Sequence, residues 1–123
     1  MKKLHDISSK TDIELMINAF YEKVKQDALL SVYFEHTNWK KHIPVMVIFW
    51  ENILFFSGDY SGNPMAKHKH IHHKNPLSKK HFNRWLNLFI DTVNQNFQGP
   101  NANLAIQRAE SIAQVILSKL IAH

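Results

Sequence analysis

The 123-residue chain contains no cysteine. That absence excludes disulfides, thiolate zinc sites, cysteine-ligated clusters and a cysteine nucleophile. Only three glycines are present, Gly58, Gly62 and Gly99, so no glycine-rich phosphate loop can be built. Neither a nucleophile elbow nor a hydrolase triad signature occurs in the sequence. The longest apolar stretch, residues 43–56, is interrupted by Glu51 and Asn52 and is too short to span a bilayer. The opening Met1-Lys2-Lys3-Leu4-His5-Asp6 lacks the apolar segment of a secretory signal. These absences predict a cytoplasmic protein with no membrane partner. The formal net charge is +5, but Lys and Arg are interleaved with acids along the chain. No basic stripe marks a nucleic-acid partner.

What the chain has is apolar mass and histidine. Hydrophobic residues make up 45% of it, with eight Phe, three Trp and three Tyr, enough for one core. The expectation is a single domain over residues 1–123, working as a monomer. Nine residues are His, and His68, His70, His72 and His73 lie close together. Neutral imidazole is a common metal ligand.

Four amphipathic helices can be read from the apolar spacing. Ile13, Met16, Ile17, Phe20, Tyr21 and Val24 give a helix over residues 12–26, opened by Thr11-Asp12-Ile13-Glu14 as a capping box. Trp39, His42, Ile43, Met46, Trp50, Ile53 and Leu54 form the stripe of a second, capped by Thr37 or Asn38. Val45, Ile48, Phe49 and Phe56 make its second half apolar nearly all round, which predicts central burial. Pro44 inside it predicts a kink or a late start. Ser78 caps a third helix, with Phe82, Trp85, Leu86, Phe89, Ile90, Val93 and Phe97 on one face. After Gln98-Gly99-Pro100, Asn101 caps a fourth, with Ala105, Ala109, Ile112, Ala113, Ile116, Leu117 and Leu120 on one face. No strand pattern competes, so the fold class is all-α. The connector from Gly58 to Leu77 is long for a compact domain, and such segments are usually functional or disordered.

Three polar-tipped residues fall on core-facing stripes of three different helices: Tyr21, His42 and Trp85. Each buries a ring and keeps a donor, the phenol O–H, an imidazole N–H and the indole N–H. One such donor alone ordinarily finds a backbone carbonyl. Three together suggest a shared acceptor in the middle of the bundle, such as a metal-bound ligand carrying partial negative charge. The metal's own ligand would come from the histidine stretch, where His68 and His72 share a face if the segment is helical. The alternatives are a solvated tract or a metal-binding helical module. Asp59 is the only nearby acid, so a two-histidine-one-carboxylate site has little support.

Four stretches, taken in order, resemble the truncated haemoglobins, and within them group III. They are Ala19-Phe20-Tyr21-Glu22-Lys23-Val24; Trp39-Lys40-Lys41-His42 followed by Phe49-Trp50; Gly58-Asp59-Tyr60-Ser61-Gly62-Asn63-Pro64 leading to His68; and Phe82-Asn83-Arg84-Trp85-Leu86. The resemblance implies a two-over-two helical sandwich around a haem, of type b. It implies His68 as the proximal ligand to iron and Tyr21, His42 and Trp85 as distal residues. Phe34 matches the phenylalanine on the haem face, and Met46 and Trp50, one and two turns after His42, are expected to face the haem as well. No catalytic residue is assigned.

Two departures from the family pattern stand out. The histidines after His68 offer competing ligands in His70 and His72, and Pro44 can shift His42. The function implied is binding of dioxygen, nitric oxide or another diatomic ligand, in the broad class of oxygen-binding and oxygen-transport proteins. Two donors to the ligand favour slow release over simple carriage. The alternative is a haem enzyme, a nitric-oxide dioxygenase or a peroxidase, supplied with electrons by a reductase.

Overall fold

The computed structural model describes residues 4–55 and 78–121, with side chains as far as residue 116. His68, His70, His72, His73 and Asp59 therefore lie outside the described residues. Among the described residues all regular structure is helical: α1 (Lys10–Gln26), a 3₁₀ turn (Ser31–Phe34), α2 (Trp39–Phe55), α3 (Lys79–Asn96) and α4 (Pro100–Ile121). Helices α1 and α2 form one pair and α3 and α4 another, with α1 laid on α3 and α2 on α4. No described helix is long and apolar enough to cross a membrane.

The stripe expected for α1 is the buried one: Ile13, Met16, Ile17, Phe20, Tyr21 and Val24. Its start differs from the expectation. Ser9, not Thr11, is the cap, and its hydroxyl accepts the Asp12 N–H at 3.2 Å. Asp12 reaches back to the Ser8 N–H at 2.9 Å. The two serines satisfy the first turn together, and the chain gains half a turn of helix over the expected start.

Helix α3 begins at Ser78 as its sequence requires. His81 completes a capping box by accepting the Ser78 N–H on Nδ1 at 3.0 Å. An imidazole stands where Glu or Gln is usual.

Helix α4 opens with Pro100 at its first position, where a missing N–H costs nothing. Asn101 does not cap it. The Asn101 side chain instead donates to the Ile7 carbonyl at 2.7 Å. The cap comes from the far end of the chain, where the Asp6 carboxylate accepts the Asn101 and Ala102 N–H groups at 2.9 and 2.8 Å. A carboxylate at a helix N-terminus is favoured by the dipole as well as by the hydrogen bonds. Gly99 makes this possible. It has φ of +147°, and a Cβ there would lie 2.6 Å from Asp6 Cγ. Gly99→Ala is expected to lower stability by at least about 2 kcal/mol, from backbone strain and a displaced cap. Thermal unfolding measures it, and an unchanged midpoint would show that Asp6 is not a cap.

A second unannounced tie joins α1 to α3. Asp27 is 8% exposed, and its Oδ1 accepts the Leu29 and Leu30 N–H groups while its Oδ2 accepts from Arg84 Nε. Burial raises the carboxyl pKa, but the Arg84 hydrogen bond and the two backbone N–H groups outweigh it. The net effect holds Asp27 below the ordinary carboxylate range.

Helix α2 runs unbroken through Pro44 and starts before it, so the late start does not occur. Its enclosure is less than the all-round apolar pattern suggests. Only Val47, Trp50 and Leu54 are buried. Ile43, Met46, Phe49, Ile53 and Phe55 are half-buried, as are Phe34 and Trp39 before them and Trp85 and Leu86 on α3.

Candidate functional site

The buried stripe of α1 carries two adjacent rings, Phe20 and Tyr21, that face different neighbours. Tyr21, 5% exposed, turns towards the turn before α2 and the first two turns of α2. Its ring lies 6.0 Å from Phe34, 5.2 Å from Trp39 and 5.0 Å from His42. The other three rings touch one another as well: Phe34 to Trp39 at 5.8 Å, Phe34 to His42 at 6.4 Å, Trp39 to His42 at 5.6 Å. All six pairs in this tetrad are in contact, mostly edge-to-face or tilted, the geometries that aromatic quadrupoles prefer. The helical spacing of three from Trp39 to His42 puts both on the same side of α2. The backbone N–H of His42 is held by Asn38 O at 2.9 Å. Pro44 therefore leaves His42 beside Tyr21.

Burial shapes the chemistry of this cluster. It pushes the Tyr21 phenol pKa well above its ordinary value. The hydroxyl stays protonated at any physiological pH and is a standing hydrogen-bond donor. His42 Nε2 is also shut off from solvent.

Phe20, the next residue back, faces the second group of rings. It meets Tyr21 at 4.9 Å, Trp85 at 5.6 Å and Phe89 at 5.3 Å. Phe89 is fully buried and is stacked with Trp50 at 4.9 Å and with Trp85 at 5.8 Å, the planes within 19° and 12° of parallel. Thus Tyr21, His42 and Phe34 are brought directly together, while Trp85 joins them through Phe20. Met46 is half-buried against the same core, one turn after His42. Trp50 is 2% exposed, its ring stacked on Phe89 and met edge-on by Phe49 at 5.6 Å. Phe20, Trp39 and Phe89 were legible as core residues only; nothing in their spacing distinguished them as neighbours of the polar-tipped residues. His68 falls outside the described residues. Among the described residues no three His, Asp or Glu converge as a metal group would need.

Residues 4–118 match the bacterial-like globin family. The chain is 32% identical over 117 residues to the group 3 truncated hemoglobin ctb of Campylobacter jejuni, covering 90% of this chain and 89% of that one. The chain belongs to the group III truncated haemoglobins. The fold agrees. The crystal structure of a group III truncated hemoglobin from Campylobacter jejuni superposes with a TM-score of 0.86 at 29% identity, covering 96% of this chain and 95% of that chain. The two helix pairs are accordingly the two layers of a two-over-two globin. Membership implies a haem cofactor and haem-based binding of diatomic ligands.

Proposed function

We propose that this globin binds dioxygen, and nitric oxide as a further ligand, on a b-type haem held by His68. The observation that carries the reading is the Tyr21 hydroxyl: buried, kept neutral, and packed against His42 in a globin chain. The haem, when bound, supplies an iron whose sixth position is open to a diatomic ligand.

The chain's own residues do the rest. Phe34 from the 3₁₀ turn, with Met46, Trp50 and the half-buried apolar residues of α2, would line the macrocycle. Tyr21 and Trp85 would donate from α1 and α3 to a ligand held there, with His42 as a third donor from α2. None of these three ionises to an anion near neutral pH, so none repels a ligand that carries partial negative charge. His68, by its match to the family's proximal histidine, holds the other side. Its free ring N–H needs a carbonyl or carboxylate partner to set its basicity.

The protein works as a monomer in the cytoplasm under this reading. The same polar donors also polarise an O–O bond, which keeps nitric-oxide dioxygenase or peroxidase turnover as the second reading and calls for an electron-donor reductase. Titration with hemin, followed by reduction and exposure to dioxygen, tests the proposal. One hemin per chain with a sharp Soret band and a long-lived dioxygen complex is the expected result. No hemin uptake would overturn it. Sustained nitric oxide or peroxide consumption with a reductant present would select the enzyme.

A further inference from the structure

Three of the four rings in the tetrad, Tyr21, His42 and Phe34, already have a part in the haem reading. The fourth, Trp39, has none, yet it touches all the others. It differs from them in one respect: a cation from another helix is seated on it. Lys25 Nζ, near the end of α1, lies 4.6 Å from the centre of the Trp39 ring. The same ammonium is held by Glu22 at 3.2 Å, one turn earlier. Lys25 and Glu22 are solvent-facing, Trp39 is half-buried and Tyr21 is enclosed. The order from outside inwards is therefore cation, indole, then phenol, with the half-buried imidazole beside the indole and its Nε2 shut off from solvent.

We infer that Trp39, latched by Lys25, is a positioning residue that fixes the His42 ring against Tyr21 and closes this cluster towards solvent. The physical argument runs through the ring geometry. His42 is bounded by Trp39 edge-to-face at 80°, by Tyr21 at 76° and by Phe34 at 56°. These rings together set the packed orientation of the imidazole. With Trp39 removed, one wall is lost and the ring gains room to turn away from Tyr21. Lys25 acts through Trp39. A cation over an indole face at a partly exposed site contributes modestly, enough to bias the indole towards its closed position without locking it. The inference deepens the haem reading, because a mobile His42 would change ligand access, but its first test needs no haem.

That test is carbethoxylation of histidines by diethyl pyrocarbonate on the haem-free chain, with His42, His36 and His81 followed separately by peptide mass mapping. In the wild type, His42 is expected to react at least about tenfold more slowly than exposed His36, a protection equivalent to ~1.4 kcal/mol. Trp39→Ala should raise the His42 rate about tenfold and leave half-buried His81, which is held by Ser78 and near Tyr33, unchanged. Trp39→Phe, which keeps a ring there, should stay near wild type. Lys25→Met keeps the aliphatic stem and removes the cation, and should raise the His42 rate by about two- to fivefold, with Lys25→Arg restoring it.

If Trp39→Ala loosens the whole chain, His42 and His81 will rise together, and Lys25→Met then decides. An unchanged His42 rate in that variant overturns the inference, as does an unchanged rate in a folded Trp39→Ala. In the haem-loaded protein the same two variants should speed carbon monoxide association in the same order. Failure of the wild type to take up haem would defeat the function proposed above while leaving the carbethoxylation result to stand on its own.

Discussion

Tyr21→Phe should speed loss of dioxygen by about 10- to 150-fold, because a hydrogen bond to a charged acceptor is worth about 1.5–3 kcal/mol. The substitution removes one oxygen atom and keeps the ring. The ring is what Phe20, Phe34, Trp39 and His42 pack against, so the tetrad should survive and stability should change little. That separates the donor from the packing. Trp85→Phe should act in the same direction on the off-rate, with a further loss of stability, because its larger ring is stacked on Phe89. Laser photolysis and stopped-flow displacement of dioxygen measure both variants. If neither changes the off-rate, the donors are structural residues and the slow-release reading fails. If only Tyr21→Phe does, then Trp85 is a wall of the pocket and not a donor.

Phe89→Ala should cost about 3–5 kcal/mol of stability, the range for a fully enclosed phenylalanine. Phe89 is where the two halves of the molecule meet. It lies on α3, stacks with Trp50 of α2, and meets Phe20 of α1 edge-on. Its loss leaves a cavity bordered by rings that cannot collapse into it without giving up their own contacts. Phe20 and Trp85 would lose a neighbour too, and Phe20 is the link between Trp85 and Tyr21. The variant should therefore be less stable in denaturant and, where it still folds, should also release dioxygen faster. Phe89→Leu, which refills most of the volume, should recover much of the stability but not the stacking. A cost below about 1 kcal/mol for Phe89→Ala would mean that the bundle repacks easily and that this site is not pre-formed.

The sequence spoke most clearly where periodicity governs. The apolar stripe of α1 is the buried set residue for residue, and Ser78 caps α3 as read. Tyr21 and His42 meet because their spacing already put them on core-facing stripes, while Phe34 was singled out only by the family resemblance.

It was silent where a contact joins residues far apart in the chain. Nothing local says that Asp6 caps α4, so Asn101, a good cap in isolation, was the natural choice. Gly99 looked like a helix stop, while its backbone also makes room for Asp6. Asp27 and Arg84 are ordinary surface residue types until the fold buries one against the other. The cap of α1 was misplaced because Ser9 and Thr11 both suit the position, and only the hydrogen bonds of Ser8, Ser9 and Asp12 choose between them. The half-buried state of α2 was misread for another reason. Hydropathy reports that a surface must be covered, not what covers it.

The central claim is that His68 carries the iron of a haem in this globin. The direct measurement is the visible absorption spectrum with equimolar hemin, for the wild type and for His68→Ala, in ferric, ferrous and carbon-monoxide forms. The account predicts a sharp Soret band in the wild type that is lost or displaced in the variant and recovers when imidazole is added. A spectrum unchanged by His68→Ala would contradict it and pass the ligand to His70, His72 or His73.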